Sequence, residues 1–559
     1  MLSRLGPPLA VLLLAGPILA GFAGTLLPAF GYLPALGGDT FTLDPFRALF
    51  AVPGIGRSAL ASFWTGLASA AISLALVLVF VAAWAGTPAF SRIQHLVSPL
   101  LAVPHAAAAF GLAFLIAPSG LITRLISPEL TGWTRPPDLL VVNDPMGISL
   151  IAGLVAKETP FLLLVTLAAL QQVPLTPARM VAASLGYGRM AGFVFTVWPL
   201  IYRQIRLAVF AVIAFASSVV DVAMILGPTT PPTVAVRLVH WMNDPDLAAR
   251  YLASAGALLQ LGVTAAALVA WIALERMAAA IRVALTERGR RMTRDRIPAM
   301  VGLGGVATVG LATFAGLAAL CVWSIAGLWQ FPDLLPRSFR LDTWQRALPR
   351  IAAPLAVSLV VALGSTLVGL VVAVLCLRRE TAVHRPMPRQ ALALVYLPLI
   401  VPQAAFLFGL QLLFLLAGAN ASLSSLILAH LVFVMPYLFL SLSDPWRAFD
   451  RRYEHVAAGL GRSPSATFWR IRLPMMARPI LVAAAIGFAV SIGLYLPTVL
   501  VGAGRLTTVT TEAVALASGG NRRVIGVWAV LQLALPLAGF AIATLVPAVL
   551  FARFRGMRV

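Results

Sequence analysis

Long apolar stretches alternate with short polar breaks from one end of the chain to the other. A helix needs about 20 apolar residues to cross a hydrocarbon core of roughly 30 Å, and about twelve stretches qualify. They lie near 7–30, 59–86, 97–117, 147–170, 207–227, 251–274, 301–325, 352–377, 391–416, 425–443, 480–500 and 525–551. The in–out alternation of a barrel strand is absent, so helices are the predicted spanning element. Composition agrees: 60% of the 559 residues are hydrophobic and 11% are charged, too few polar residues to cover a soluble surface. The predicted fold class is all-α, a polytopic membrane protein.

The pattern repeats. PHAAAAFGL (104–112) matches PQAAFLFGL (402–410), and FTLD (41–44) matches FRLD (339–342), both at an offset of 298. VAASLG (181–186) matches VAAGLG (456–461) at 275, a register that continues through Phe193 and Phe468, Arg203 and Arg478, and Gly227 and Gly502, to Thr233-Val234 and Thr508-Val509. The 23 residues lost between the two registers correspond to a long loop near 118–146 that shrinks to 417–424. An even number of spans per repeat sets both halves the same way up, related by an axis along the membrane normal. The predicted division is a first half at 1–274, a basic linker at 275–298 with seven Arg, read as solvated, and a second half at 299–559. Residues 1–25 resemble a cleavable signal, but the repeat needs them as the counterpart of 301–325, so they are kept as the first span.

The net charge of +22 could suggest nucleic acid. Alternate assignment of the loops instead places most of the basic residues on one side, the asymmetry that marks the cytosolic face, and puts both termini there. No nucleic-acid partner is needed. Cys321 and Cys376 lie in apolar runs without metal spacing or a disulfide framework.

Each half carries a long loop on that face, 171–206 and 444–479. Ala182, Ala183 and Leu185, like Ala457, Ala458 and Leu460, predict a short helix with a small-residue face, ended by Gly186 and Gly461. Pro199 and Pro474 precede the next span. MVAASLG (180–186) leading to Trp198-Pro199, and HVAAGLG (455–461) leading to Leu473-Pro474, resemble the EAA loop of binding-protein-dependent ABC importer permeases of type I. That pattern is Glu-Ala-Ala, three residues, Gly, then Leu-Pro with its Pro thirteen residues past the Gly. Here Met180 and His455 replace Glu, Val181 and Val456 replace the first Ala, and Trp198 replaces Leu. The resemblance covers nearly the whole chain and is nearest to double-length permeases, the group of thiamine, ferric-iron and YnjC-type importers. KETPFLL (157–163), DVAMILGPTTPP (221–232) and LPTVLVGAGRLTT (496–508) carry the likeness to the YnjC type.

The resemblance implies a MetI-like fold in a bacterial inner membrane, a cytosolic ATPase dimer with one protomer gripping each loop, an extracytoplasmic solute-binding protein, and a small-molecule or ion substrate. It implies no cofactor on this chain, ATP and Mg being held by the ATPase. The chain has no phosphate-cradling G-x-x-x-x-G-K-[ST] run, and its only lysine, Lys157, falls inside a span. It is therefore read as a transport subunit and not an enzyme, with no catalytic residues and no metal site.

Lys157 and Glu158 are charges inside the fourth span, where each costs on the order of 3 kcal/mol. They are read either as a gate or substrate contact, or as a compensating pair near the cytosolic boundary; the second half has Phe433 and Val434 there. Asp221, late in the fifth span, is a cation-attracting site or a helix-to-helix bond. His105 and Gln403 follow matching prolines, Pro104 and Pro402, and paired interruptions of a span point to a transport site. For the two side chains themselves, helix-to-helix hydrogen bonding is the simpler reading. Asp44 before Pro45 predicts an N-cap of a surface helix outside the membrane. His430 and Met435 are read as packing. The rival function is an ATP-independent secondary transporter of six plus six helices; the motif-bearing loop of the familiar family of that kind is here only TPAFSRIQ (87–94).

Overall fold

A computed structural model describes residues 4–383 and 388–550; both chain ends, with the last position of the predicted 525–551 run, lie outside them. Among the described residues the chain is helical, with only two isolated β-bridges. Ten helices are long and apolar enough to cross a membrane, and twelve spans result if each of two bent helix pairs counts as one. Twelve principal helices are labelled here: α1 Gly6–Ala29, α2 Ile55–Trp84, α3 His105–Ile116, α4 Ile148–Leu170, α5 Trp198–Ser218, α6 Ala249–Glu287, α7 Arg296–Ile325, α8 Asp342–Val383, α9 Ala404–Leu416, α10 Leu423–Arg447, α11 Ala477–Gly493 and α12 Arg522–Leu550.

The repeats interlock. α1 packs on α9, and α7 packs on α3, so each repeat's opening helix lies against the other repeat. Glycines make both crossings: Gly21 and Gly24 meet Gly409, and Gly316 meets Gly111, backbone against backbone. Gly111 and Gly409 are 298 residues apart and hold equivalent places. Small residues are what let two backbones approach in lipid, where apolar packing alone gives little preference for a partner. The largest hydrophobic core, with Phe110, Leu154, Leu226, Phe406, Phe433 and Trp528, draws on both repeats.

The hydrogen bonds repeat too. Ser62 Oγ accepts the Val234 N–H at 3.0 Å, and Ser358 Oγ accepts the Val509 N–H at 2.9 Å. Val234 and Val509 each open a short helix, so the serine supplies an acceptor that the helix start lacks.

Two spans per repeat are interrupted. Before α3 the chain runs as Pro88–Val97 and a 3₁₀ turn Ser98–Ala102, then breaks at Val103-Pro104. Before α9 it breaks after Arg389–Ile400, where Ala393–Ile400 and α9 meet at 95°. The fifth spans break as well, against the expectation of continuous helices over 207–227 and 480–500. α5 stops at Ser218 and a second piece, Asp221–Leu226, follows; α11 stops at Gly493 and Leu496–Gly502 follows. Asp221 therefore opens a short helix and does not sit late in a long one.

One further expectation changes. Asp44 lies inside its helix, Asp44–Ala51, whose cap position is Leu43; the Asp44 carboxylate pairs with Arg47 at 3.0 Å instead of capping. The basic segment 275–298 is exposed along most of its length, and it is also ordered. α6 runs on to Glu287, and Glu275 holds Arg206 of α5 at 2.7 Å. The remainder is pinned to the loop after α4: the Gly188 N–H reaches the Arg291 carbonyl (3.2 Å), the Met190 N–H reaches the Asp295 carboxylate (3.0 Å), and the Arg291 guanidinium lies 4.5 Å from the Tyr187 ring centre.

Candidate functional site

The loops after α4 and α10 fold alike. Helices Leu175–Ser184 and Arg452–Gly459 each close on a glycine in the left-handed region, Gly186 at φ +78° and Gly461 at φ +73°. The closure is the same atom for atom. Gly186 N–H bonds the Ala183 carbonyl (2.9 Å) and Tyr187 N–H the Ala182 carbonyl (3.1 Å); Gly461 and Arg462 repeat this on Ala458 and Ala457 at 2.9 and 3.0 Å. Side chains with a Cβ resist this backbone conformation, which fits glycine at both ends.

Ala182 and Ala457 are buried, each 3% exposed. Ala183 and Ala458 face outward beside Val181 and Leu185, and Val456 and Leu460, all exposed. Met180 and His455, which stand where the resembling family has Glu, are also exposed. Each turn then feeds a single π-helical stretch, Phe193–Val197 or Phe468–Arg472, with Phe193 and Phe468 buried. Trp198-Pro199 and Leu473-Pro474 follow where each π stretch returns to α-helix; the first piece runs unbroken from Arg189 to Ser218, whereas the second ends at Met475 and bends by 67° into α11. The rivets differ. Arg179 and Arg189 both donate to the Ala85 carbonyl at the end of α2 (3.0 and 2.8 Å), whereas Arg472 joins Glu454 (2.7 Å) to the Trp446 carbonyl (3.0 Å).

The charged residues inside the bundle gather at the breaks. In the 3₁₀ turn the Leu100 carbonyl keeps the Val103 N–H at 3.3 Å, but Pro104 has no N–H, so the Leu101 carbonyl loses its i+3 partner. Lys157 Nζ supplies the missing donor, bonding Leu101 O at 3.0 Å and also Leu100 O at 2.9 Å. Glu158 turns to His105, Oε1 to Nε2 at 3.4 Å. Lys157 and Glu158 make no direct ion pair among the described residues, although the Glu158 charge acts on Lys157; they sit mid-helix, away from the loop-side end of α4, and bond different partners. In the second repeat, Phe433 fills the Lys157 place and stacks on Phe406 with ring centres 5.7 Å apart.

Asp221, 7% exposed, lies within electrostatic reach of His105, whose ring is 4.6 Å from that of Phe215. The second repeat closes this cluster with two tyrosines. Tyr495 stands within reach of Asp221 and its hydroxyl contacts Met224 Sδ at 3.4 Å; Tyr437 stands within reach of Glu158. Gln403 holds the position equivalent to His105, just before α9, and its side chain has no hydrogen bond among the described residues.

His430 is not simple packing. Fully buried, it bridges Ser491 Oγ (2.8 Å) and Thr498 Oγ1 (2.9 Å), one on each side of the break at Leu494-Tyr495. The broken fifth spans also free one carbonyl each, at Ser217 and Ile492, which are 275 residues apart. Gln260 of α6 donates to Ser217 O at 3.0 Å; Thr510 donates to Ile492 O and is itself held by Gln532 of α12 at 2.9 Å. Buried carbonyls must find donors, and glutamines on the sixth span of each repeat supply or steady them.

No family model matches the chain. It is 33% identical over 546 residues to the inner membrane ABC transporter permease protein YnjC of Escherichia coli K12, covering 96% of both chains. The chain belongs to the ABC transporter permease family. Shorter similarities reach other permeases: 32% identity over 112 residues to the molybdenum transport system permease ModB of Mycobacterium tuberculosis, covering 18% of this chain and 42% of that one, and 30% over 167 residues to the molybdate/tungstate permease WtpB of Pyrococcus furiosus, covering 29% and 65%. The permease is thus a membrane-spanning subunit of an ABC transporter, and its interior cluster and its paired loops are the candidate sites for that work.

Proposed function

We propose that the permease imports a small solute across a bacterial inner membrane, powered by a separate cytosolic ATPase dimer and supplied by an extracytoplasmic solute-binding protein. The loop face is cytosolic, with both chain termini on that side. The observation that carries the reading is the duplicated glycine-closed helix. Each presents an exposed aliphatic pair at i, i+4, Val181 with Leu185 or Val456 with Leu460, with Ala183 or Ala458 exposed on the other flank, a small apolar helix suited to a cleft on another protein.

The first of these loop helices is joined through a π-helical turn directly to α5, the second through a π-helical turn and a 67° bend to α11, and α5 and α11 each end at a break beside the interior cluster. Drawing the two loop helices together would tilt α5 and α11 and shift Asp221 and Tyr495 at their far ends. The chain does no covalent chemistry on this reading; partners that prefer one arrangement shift the population between inward- and outward-facing states.

The test is to replace Gly186 and Gly461 together by leucine. ATPase co-purification and ATP-dependent uptake should both fall while the chain still inserts. Retention of both activities overturns the coupling role. Full transport by the purified chain without any ATPase would favour a secondary transporter.

A further inference from the structure

On the face opposite the loops, the ends of α3 and α7 and the start of α12 surround an open hollow of about 910 Å³. Arg124, Arg135, Arg522 and Arg523 line it with Trp323 and Trp329, and no carboxylate does so among the described residues. The first two arginines come from the first repeat and the other two from the second.

Two of these guanidiniums are forced together. Arg124 Nε and Arg522 Nη1 donate to the same oxygen, the Ser119 carbonyl, at 3.1 and 2.8 Å. Both also lie against the Trp323 ring, 5.7 and 5.5 Å from its centre. Arg124 is 4% exposed and its Nη1 is used up on the Gln330 and Asp333 carbonyls. The Asp333 carboxylate pairs directly with Arg337 at 3.0 Å and acts on Arg124 only from beyond ion-pair distance. Arg522 has made one bond, and Arg135 and Arg523 have no side-chain hydrogen bond or ion pair among the described residues. Like charges sharing one oxygen in a half-buried site repel unless a counter-charge joins them. Guanidinium forks match the oxygens of phosphate and related oxyanions.

We propose that this hollow binds an oxyanion group of the phosphate type, held by Arg522, Arg523 and Arg135 against the tryptophan wall, with Arg124 fixing the wall in place. The group belongs either to a free anion or to the headgroup of an anionic lipid, since the hollow opens where spans end. The site is independent of the ATPase assignment.

The test uses the full-length chain in nanodiscs of phosphatidylcholine alone, titrated with radiolabelled inorganic phosphate, and in nanodiscs containing phosphatidylglycerol, read by native mass spectrometry. Arg124 is left intact because it ties 119, 330 and 333 together. The Arg135→Gln/Arg523→Gln double variant should weaken retention at least about tenfold, as loss of one or two charge-assisted hydrogen bonds implies. Arg523→Lys, which keeps the charge and loses the fork, should fall between. Retention of phosphate identifies a free-anion site and retention of phosphatidylglycerol a lipid site; either supports the proposal. If wild type retains neither, if the double variant binds as wild type does, or if only an acidic peptide is retained, the proposal fails.

Discussion

Lys157 does for a broken helix what a backbone N–H does for an intact one. Leu101 O has no other donor among the described residues, and Leu100 O has only the Val103 N–H besides; in the second repeat Phe433 packs a ring on Phe406 and offers no donor. Lys157→Met should therefore destabilise the permease by about 1–3 kcal/mol by stranding the Leu101 carbonyl, read as a lower unfolding midpoint in detergent; Lys157→Arg should recover part of it. The glutamines offer a graded pair. Gln260→Leu strips Ser217 O of its long-range donor, whereas Gln532→Leu leaves Thr510 on Ile492 O, so the first should cost more than the second in the same assay.

Asp144, outside the spans, adds a pH term. Burial pushes its carboxyl up, but hydrogen bonds from Ser149 and Ile148 outweigh this and hold it below the ordinary aspartate value. A group depressed in the folded state stabilises above its unfolded pKa and loses that contribution as pH falls through the folded value. Asp144→Asn should lower stability at neutral pH and narrow the gap to wild type in acid, measured by unfolding midpoints across that range.

Among elements, the helix crossings depend on glycine. A Cβ on Gly409 would fall on the Gly21 carbonyl oxygen and 2.6 Å from the Gly24 carbonyl carbon, while one on Gly111 meets Gly316 backbone at 2.9 Å or more. Gly409→Ala should thus reduce stability more than Gly111→Ala, by the same measurement. The repeat, the paired prolines and the glycine-closed loop helices could be read from sequence because each is a local rule: proline lacks a donor, and glycine tolerates positive φ. The breaks at Val219-Val220 and Leu494-Tyr495 could not, since no proline or glycine stands at either pair and only the surrounding donors, Gln260 and Thr510, make them affordable. The cluster joining Lys157, His105, Asp221 and Tyr495 is a tertiary product spread over both repeats. The helical run of α6 past residue 274, in contrast, was signalled by its Ala, Arg, Glu and Met content, all good helix formers.

For the molecule as a whole, the exchange of opening helices makes the connection between the repeats dispensable for holding them together. A protease site inserted between Gly289 and Arg290 and cleaved after purification should leave a single particle on size exclusion. The Arg291 carbonyl and Asp295 carboxylate brace the loop after α4, whereas the loop after α10 is braced from α8 by Arg378 over the Phe468 ring at 4.2 Å, so under the proposed function the nick should weaken ATPase binding at one loop only. A stoichiometry near one ATPase protomer per nicked chain, against two for the intact one, would be the outcome; loss of both would mean that the brace is not local.

The same exchange imposes an order on biosynthesis. Thr25 of α1 awaits the Gly409 N–H, its partner at 3.1 Å, which the ribosome delivers 384 residues later. At ordinary elongation rates that is about 20–80 s, during which the first helix must idle in lipid with its glycine face uncovered. A chain truncated before α9 should then leave α1 open to competing helices, and crosslinking from Gly24 in stalled nascent chains would reveal which neighbours hold it meanwhile.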